Sequence, residues 1–207
     1  MTLKIWGRTN SANVKKALWC AEELGLAYER IDAGGVFGVV DEPAFRALNP
    51  NGLVPVLEDG DLVLWESNTI VRYLAAKYGA GHLRLDNPAT QASAEKWMDW
   101  TLGTVVRPFS DVFWGLVRTP PAERDPAKIA AGLEACNRAL AIADAALAVR
   151  PWLSGDNFGI GDIPLGVIIY GWFGMEIERA ELPALKAWYE RLTERPAYRK
   201  TVMIPLT

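Results

Sequence analysis

The apolar positions of the chain change their period once, near residue 80. Before that point short alternating runs are separated by turns. Leu3-Lys4-Ile5-Trp6 alternates as a strand, and Gly7 to Ser11 is a polar turn. Val14, Ala17, Leu18, Ala21 and Leu24 then recur with the three-and-four spacing of an amphipathic helix. Gly25 stands where a C′ glycine would end it. Ala27 to Ile31 reads as a second strand, and a strand, helix and strand this close together predict a right-handed βαβ unit with parallel strands. Ala33 to Glu42, with Gly34, Gly35 and Gly38, reads as a mobile loop, and Pro43 to Leu48 as a turn or two of helix.

The stretch from Asn49 to Ser67 predicts two short strands. Pro55-Val56-Leu57 begins one, Glu58-Asp59-Gly60-Asp61 carries an Asp-Gly turn signal, and Leu62 to Trp65 returns. A helix from about Asn68 to Tyr78 follows, with Ile70, Val71, Leu74 and Tyr78 on one face. The order is therefore β-α-β-α-β-β-α, ending at Gly79-Ala80-Gly81. After residue 80 only helical periods remain. One stripe runs from Ala94 to Phe113 and should bend at Pro108. Asp125-Pro126 forms an N-cap and N1 pair ahead of Ile129, Leu133, Cys136, Leu140 and Leu147. Ile163 to Phe173 is apolar on every side and should be a central helix. Leu185, Trp188, Tyr189 and Leu192 mark a last one. The expected organisation is an α/β domain over residues 1–79, a linker over 80–88 and an all-helical bundle over 89–207.

Composition narrows the function classes. Of 207 residues half are hydrophobic and 23% charged, so a sizeable core can be buried in a globular protein. The net charge is −3 with no basic stripe, which argues against nucleic acid and anionic membranes as partners. Neither a signal-peptide h-region nor a run long enough to span a bilayer is expected, which makes the cytoplasm the default compartment. Cys20 and Cys136 lie in separate helical patterns and read as reduced core residues. The single histidine, His82, leaves no basis for a His-based metal site or triad, so no metal is expected.

Candidate chemistry centres on the hairpin. Pro55 cannot donate to a ladder, so its strand lies at an edge or starts there, leaving the backbone of Val54 to pair elsewhere. Beside it Glu66 and Ser67 open a helix. A free strand edge next to such a helix start is a cradle for a small peptide; an ordinary hairpin with a capped helix is the plainer alternative.

Several segments taken together resemble the glutathione S-transferase family. They are Asn49-Pro50-Asn51-Gly52-Leu53-Val54-Pro55, the Glu66-Ser67 pair, Gly161-Asp162-Ile163, and Ala187-Trp188-Tyr189-Glu190-Arg191 with Arg195-Pro196-Ala197-Tyr198. They span essentially the whole chain in the family's order, and the likeness is to bacterial, theta-like members with a serine-type site. The resemblance implies a thioredoxin-like glutathione-binding domain, then a helical domain with a hydrophobic co-substrate pocket. It also implies a cis Val54-Pro55 bond, a homodimer, and glutathione as co-substrate with no other cofactor. Ser11 would donate to the glutathione sulfur, with Asn10 or Thr9 as alternatives, and either Ser11 or Asn10 could instead be only the helix N-cap. Glu66 and Ser67 would hold the γ-glutamyl end, and Val54 before Pro55 the cysteinyl backbone. Asn51 or Arg46 would meet the glycyl carboxylate. Phe109, Phe113, Trp114 and Trp172 would line the pocket for a small hydrophobic electrophile. Gly159 stands where the family often carries a capping hydroxyl, leaving Asp162 a folding role. A glutathione-dependent peroxidase or disulfide reductase, or a non-catalytic binding module, are the competing functions.

Overall fold

The computed structural model describes residues 2–207. The chain divides into two compact units. One holds the chain up to Arg84 together with Lys200–Ile204, and the other holds Leu85–Arg199 with Pro205–Thr207.

In the first unit the elements run β1 (Leu3–Trp6), α1 (Ala12–Glu23), β2 (Tyr28–Ile31), α2 (Pro43–Leu48), β3 (Val56–Asp59), β4 (Leu62–Trp65) and α3 (Ser67–Tyr78). The loop between β2 and α2 carries a single 3₁₀ turn, Gly35–Phe37. The sheet order is β2-β1-β3-β4; β1 and β2 are parallel, and β3 is antiparallel to both neighbours. This is the mixed sheet expected of a thioredoxin-like domain. Helix α1 ends in a Schellman motif: Gly25, at φ 63°, donates to the Glu22 carbonyl and Leu26 to that of Ala21. Asp59 pairs with Leu62, so Gly60 and Asp61 alone make the hairpin turn. Asp59 instead ties α3 to the sheet, accepting from Tyr73 Oη and Tyr78 Oη at 2.6 Å each and from Lys77 Nζ at 2.7 Å. Burial alone would raise this carboxyl, but those donors hold it down at about 2.

The pleat sorts the sheet's side chains onto two faces. Ile5 and Leu57 are sealed on one. On the other, Val56 clusters with Ala33, Phe45 and Trp6, whose ring meets that of Phe45 edge-on at 5.9 Å. Helices α1 and α3 pack against each other and bury Val14, Ala17, Leu18 and Ala21 with Ile70, Val71 and Leu74. The Lys200–Ile204 segment belongs to this unit and not to the helical part as the sequence suggested. Lys15, 6% exposed, donates to the Val202 carbonyl at 2.9 Å, and Lys200 pairs with Glu22 at 2.7 Å.

The second unit comprises α4 (Pro88–Trp100), α5 (Val106–Phe113), α6 (Pro126–Leu147), α7 (Asp162–Gly174) and α8 (Pro183–Thr193), and α9 (Pro196–Thr201) leads out of it. The bend expected at Pro108 takes the form of a π-helical turn, Thr101–Val105, just ahead of it. Proline has no N–H to return to the carbonyl four residues back, and a widened turn accommodates the missing bond. Helix α7 is buried on nearly every side, and the acid at its start holds the unit together. Asp162, fully buried, accepts from Leu153 N at 2.8 Å, Ser154 N at 3.3 Å, Gly159 N at 3.1 Å and Trp188 Nε1 at 2.9 Å. The hydroxyl absent at Gly159 comes from Ser154, whose Oγ accepts from Gly161 N at 3.0 Å. A Cβ on Gly159 would lie 2.8 Å from that same Ser154 side chain, so the two positions exchange roles. Trp188 is core, whereas Trp97 and Trp152 are only half-buried because they line a cleft with Lys96 and Arg150. Asp162→Ala is expected to lower the unfolding free energy by about 3 kcal/mol or more, since two buried N–H groups and the Trp188 indole lose their acceptor. Chemical denaturation of the variant measures it.

Candidate functional site

The four strands of the first unit end in a single row. Ile31 pairs with Trp6, Trp6 with Val56, and Val56 with Trp65. The chain just beyond that row must therefore gather at one end of the sheet: Gly7 to Ser11 leaving β1, Val54-Pro55 entering β3, and Glu66-Ser67 leaving β4. A cleft lies there, lined by Asn13, Asn49, Asn51, Leu53, Val54, Pro55, Glu66 and Ser67. Gly7 permits the approach. A Cβ on it would fall 2.3 Å from Val14 and 3.2 Å from Val54 Cβ.

The Val54-Pro55 bond is cis, as the resemblance implied. Strand β3 is an interior strand that begins at Val56, so Pro55 removes no ladder bond. The backbone N–H and C=O of half-buried Val54 make no hydrogen bond with the described residues. Asn49, only 2% exposed, shapes the turn that carries it. Its Nδ2 donates to the Leu53 carbonyl at 2.7 Å, and its Oδ1 accepts from Asn51 N and Nδ2 at 3.0 Å each. Arg46 is committed elsewhere, to Asp41 at 2.6 Å and the Pro50 carbonyl at 2.8 Å, and does not line the cleft.

Glu66 is the N-cap of α3 at φ 70°, a conformation that residues other than glycine rarely adopt. Such an outlier persists only where its surroundings hold it. Its exposed carboxylate makes no hydrogen bond with the described residues. Ser67 opens the helix and is 6% exposed. Beneath the pair sits Lys16, 1% exposed, whose Nζ donates to Asn13 Oδ1 at 3.0 Å and to Ser67 Oγ at 3.4 Å. Ser67 Oγ in turn donates to Asn13 Oδ1 at 3.3 Å. Burial lowers the Lys16 ammonium to about 8, against the pull of Glu66.

Ser11 is the N-cap of α1 in extended conformation, and its carbonyl accepts from Lys15 N at 2.9 Å. Its hydroxyl makes no capping bond. Of the two roles open to it, the cap does not consume the side chain. Asn10 precedes it in the same turn, and neither residue is among those lining the cleft. Asn51, Val54, Pro55, Glu66 and Ser67 are thus gathered at one place, with Ser11 two residues from Asn13. Lys16, Asn13 and Asn49 escaped the sequence reading. A lysine in the second turn of an amphipathic helix reads as solvent-facing, and asparagines near turns read as turn formers. In the second unit Phe109 stacks on Phe113 at 5.7 Å and presses against Gly171, where a Cβ would meet its ring at 2.8 Å. Trp172 is buried, and Trp114 is exposed beneath the Arg118 guanidinium.

Residues 1–76 match the glutathione S-transferase N-terminal domain and residues 95–196 the glutathione S-transferase C-terminal domain. The chain belongs to the glutathione S-transferase family. Glutathione S-transferase GstB of Escherichia coli is 52% identical over 99% of this chain and all of its own length. Glutathione S-transferase 3 of Zea mays is 33% identical over 99% of this chain and 95% of its own. Among solved structures, the theta class glutathione S-transferase of Xanthomonas axonopodis pv. citri with glutathione bound is 61% identical. It superposes with a TM-score of 0.97 over all of this chain and 99% of its own. Family and fold are those expected from the sequence, and the protein is a glutathione transferase. Among the described residues no helix is long and apolar enough to cross a membrane. In this transferase Asn49→Ala should lower stability by about 1–3 kcal/mol, because it removes the acceptor of Asn51 and the donor to the Leu53 carbonyl and frees the turn bearing Val54. Denaturation of wild type and variant side by side provides the check.

Proposed function

We propose that this glutathione transferase seats glutathione in the cleft of its first unit and ionises the thiol there for attack on a small hydrophobic electrophile. The observation that carries this reading is the meeting of two helix N-termini, those of α1 and α3, beside the unpaired backbone of Val54. A helix start offers free N–H groups and the positive end of the helix dipole, both suited to a carboxylate or a thiolate. Glutathione carries an ammonium and a carboxylate at its γ-glutamyl end. Glu66 suits the first, and Ser67 with the first turn of α3 suits the second. The N–H and C=O of Val54 match the cysteinyl residue in the manner of an added strand. Asn51 stands nearest to the role of meeting the glycyl end.

A free thiol titrates near 8.5, so little is thiolate at neutral pH. One hydrogen bond to the anion contributes about 1.5–3 kcal/mol, or about one to two pKa units. The unengaged hydroxyl of Ser11 at the start of α1 supplies such a bond with the dipole behind it. The thiol proton leaves to solvent, and the sulfur then bonds to the electrophilic carbon as the leaving group departs with the electron pair. No protein thiol is suited to replace this chemistry. Burial pushes Cys20 far above its ordinary range and Cys136 up to about 12. The second unit, with Phe109, Phe113, Trp114 and Trp172, supplies the electrophile's pocket, and the enzyme works as a cytoplasmic homodimer.

In ultraviolet titration of the bound complex the glutathione thiolate should form below pH 8, and Ser11→Ala should return it toward 8.5. An unshifted titration in wild type would sink the proposed activation. Ser67→Ala should weaken glutathione binding about ten- to hundred-fold in calorimetry.

A further inference from the structure

Lys16 does not itself line the cleft, but it is a buried charged group bonded to two residues that do, and the reading above leaves it idle. A lysine 1% exposed is uncommon unless its ammonium is paired, and here no carboxylate hydrogen-bonds to it. Its acceptors are two neutral side chains that themselves line the cleft, Asn13 and Ser67. The consequence follows from donor and acceptor bookkeeping. An ammonium has three donors and no lone pair. Asn13 must therefore turn its carbonyl oxygen inward, and its Nδ2 hydrogens turn away from Lys16. Ser67 Oγ can only accept from Lys16, and its single proton goes to Asn13 Oδ1 at 3.3 Å, which holds that oxygen inward from a second side.

We infer that Lys16 is a positioning residue that, with Ser67, fixes the Asn13 oxygen inward and so leaves the Asn13 amide N–H groups as donors toward the cleft, so that this corner selects a carboxylate. The inference rests on the glutathione reading, in which that carboxylate is the α-carboxylate of the γ-glutamyl residue. Without Lys16, Asn13 can flip its amide, donating from Nδ2 to Ser67 Oγ and turning its oxygen to the cleft, so the corner loses its preference. The charge acts in the same direction. The ammonium lies beneath the first turn of α3, and Glu66 is the acid that acts on it. Burial holds the ammonium to about 8, so an incoming carboxylate also offsets the cost of keeping it charged. The sequence signal is the adjacent pair Lys15-Lys16. Lys15 turns to the Val202 carbonyl and Lys16 to Asn13 and Ser67, so the two are not interchangeable.

The test compares glutathione with its analogue in which the γ-glutamyl α-carboxylate is replaced by hydrogen, by calorimetry on the full chain. Wild type should bind glutathione about ten- to hundred-fold more tightly than the analogue. In Lys16→Met that preference should collapse to about threefold or less, with the analogue bound as in wild type. Equal weakening of both ligands, or an unchanged preference, would overturn the role of Lys16. Asn13→Asp covers the case in which Lys16→Met does not fold. It keeps an acceptor for Lys16 and places an acid in the first turn of α1, where it is favourable. It presents oxygen and not N–H to the cleft, and so should also lose at least ten-fold toward glutathione but not toward the analogue. Retained preference in Asn13→Asp overturns the inference. Wild type that binds neither ligand overturns the glutathione reading instead, a result distinct from both.

Discussion

The antiparallel pairing of β3 with β1, in the register that sets Val56 against Trp6, is the constraint on which the first unit depends. It makes β3 an interior strand whose first paired residue follows Pro55 directly. It also aligns Trp65 with Val56, so that the exit from β4 falls beside the entry to β3. A slip of one residue would turn Val56 to the opposite face and carry Val54 away from Ser67. Gly7 completes the constraint, because any side chain there would collide with Val14 and Val54. The site is a consequence of where four strands stop.

Two buried polar centres, one in each unit, then fix their surroundings by opposite means. Asp162 is a carboxyl group, pushed up by burial, that N–H donors surround at the start of an apolar helix, and it organises the loop before α7 and the indole of Trp188. Lys16 is a cation surrounded by neutral oxygens, and it organises side chains facing a cleft. The first has every partner within its own unit and serves folding. The second, with Ser67, fixes the Asn13 side-chain oxygen inward beside the cleft. Buried charge is costly unless hydrogen-bonded, and each is met in a manner suited to its task.

Much of this was legible from periodicity. The alternation of Leu3 to Trp6 and the three-and-four spacing from Val14 to Leu24 identify elements whose burial repeats every two or 3.6 residues, a local property. Gly25 and the Asp125-Pro126 pair punctuate helices through backbone geometry that is also local. Pro55 signalled a strand start because a missing N–H is a property of the residue itself. Glu66 and Ser67 were found through their order in a family pattern, not through any physical signal that a single sequence contains. The π-helical turn before Pro108 was beyond reach, since a proline announces a disturbance but not the form in which the helix absorbs it. Ser154 taking the place of a hydroxyl at residue 159 required seeing two loop positions meet in space.

The sequence by itself determined the elements, their order, the change from mixed to helical architecture and the family, because these rest on local periods, turn chemistry and ordered motifs. Only the tertiary structure decided that Lys16 faces inward, that Asn13 and Asn49 belong to the site, that the hydroxyl of Ser11 is not spent on its cap, and that Lys200–Ile204 joins the first unit. Most of these depend on what a side chain meets far along the chain, as Lys16 and Asn13 meet Ser67 and Lys15 meets Val202. A lysine on a helix has the same local propensity facing water or facing a serine 51 positions away. The packing of α1 against α3 makes the difference.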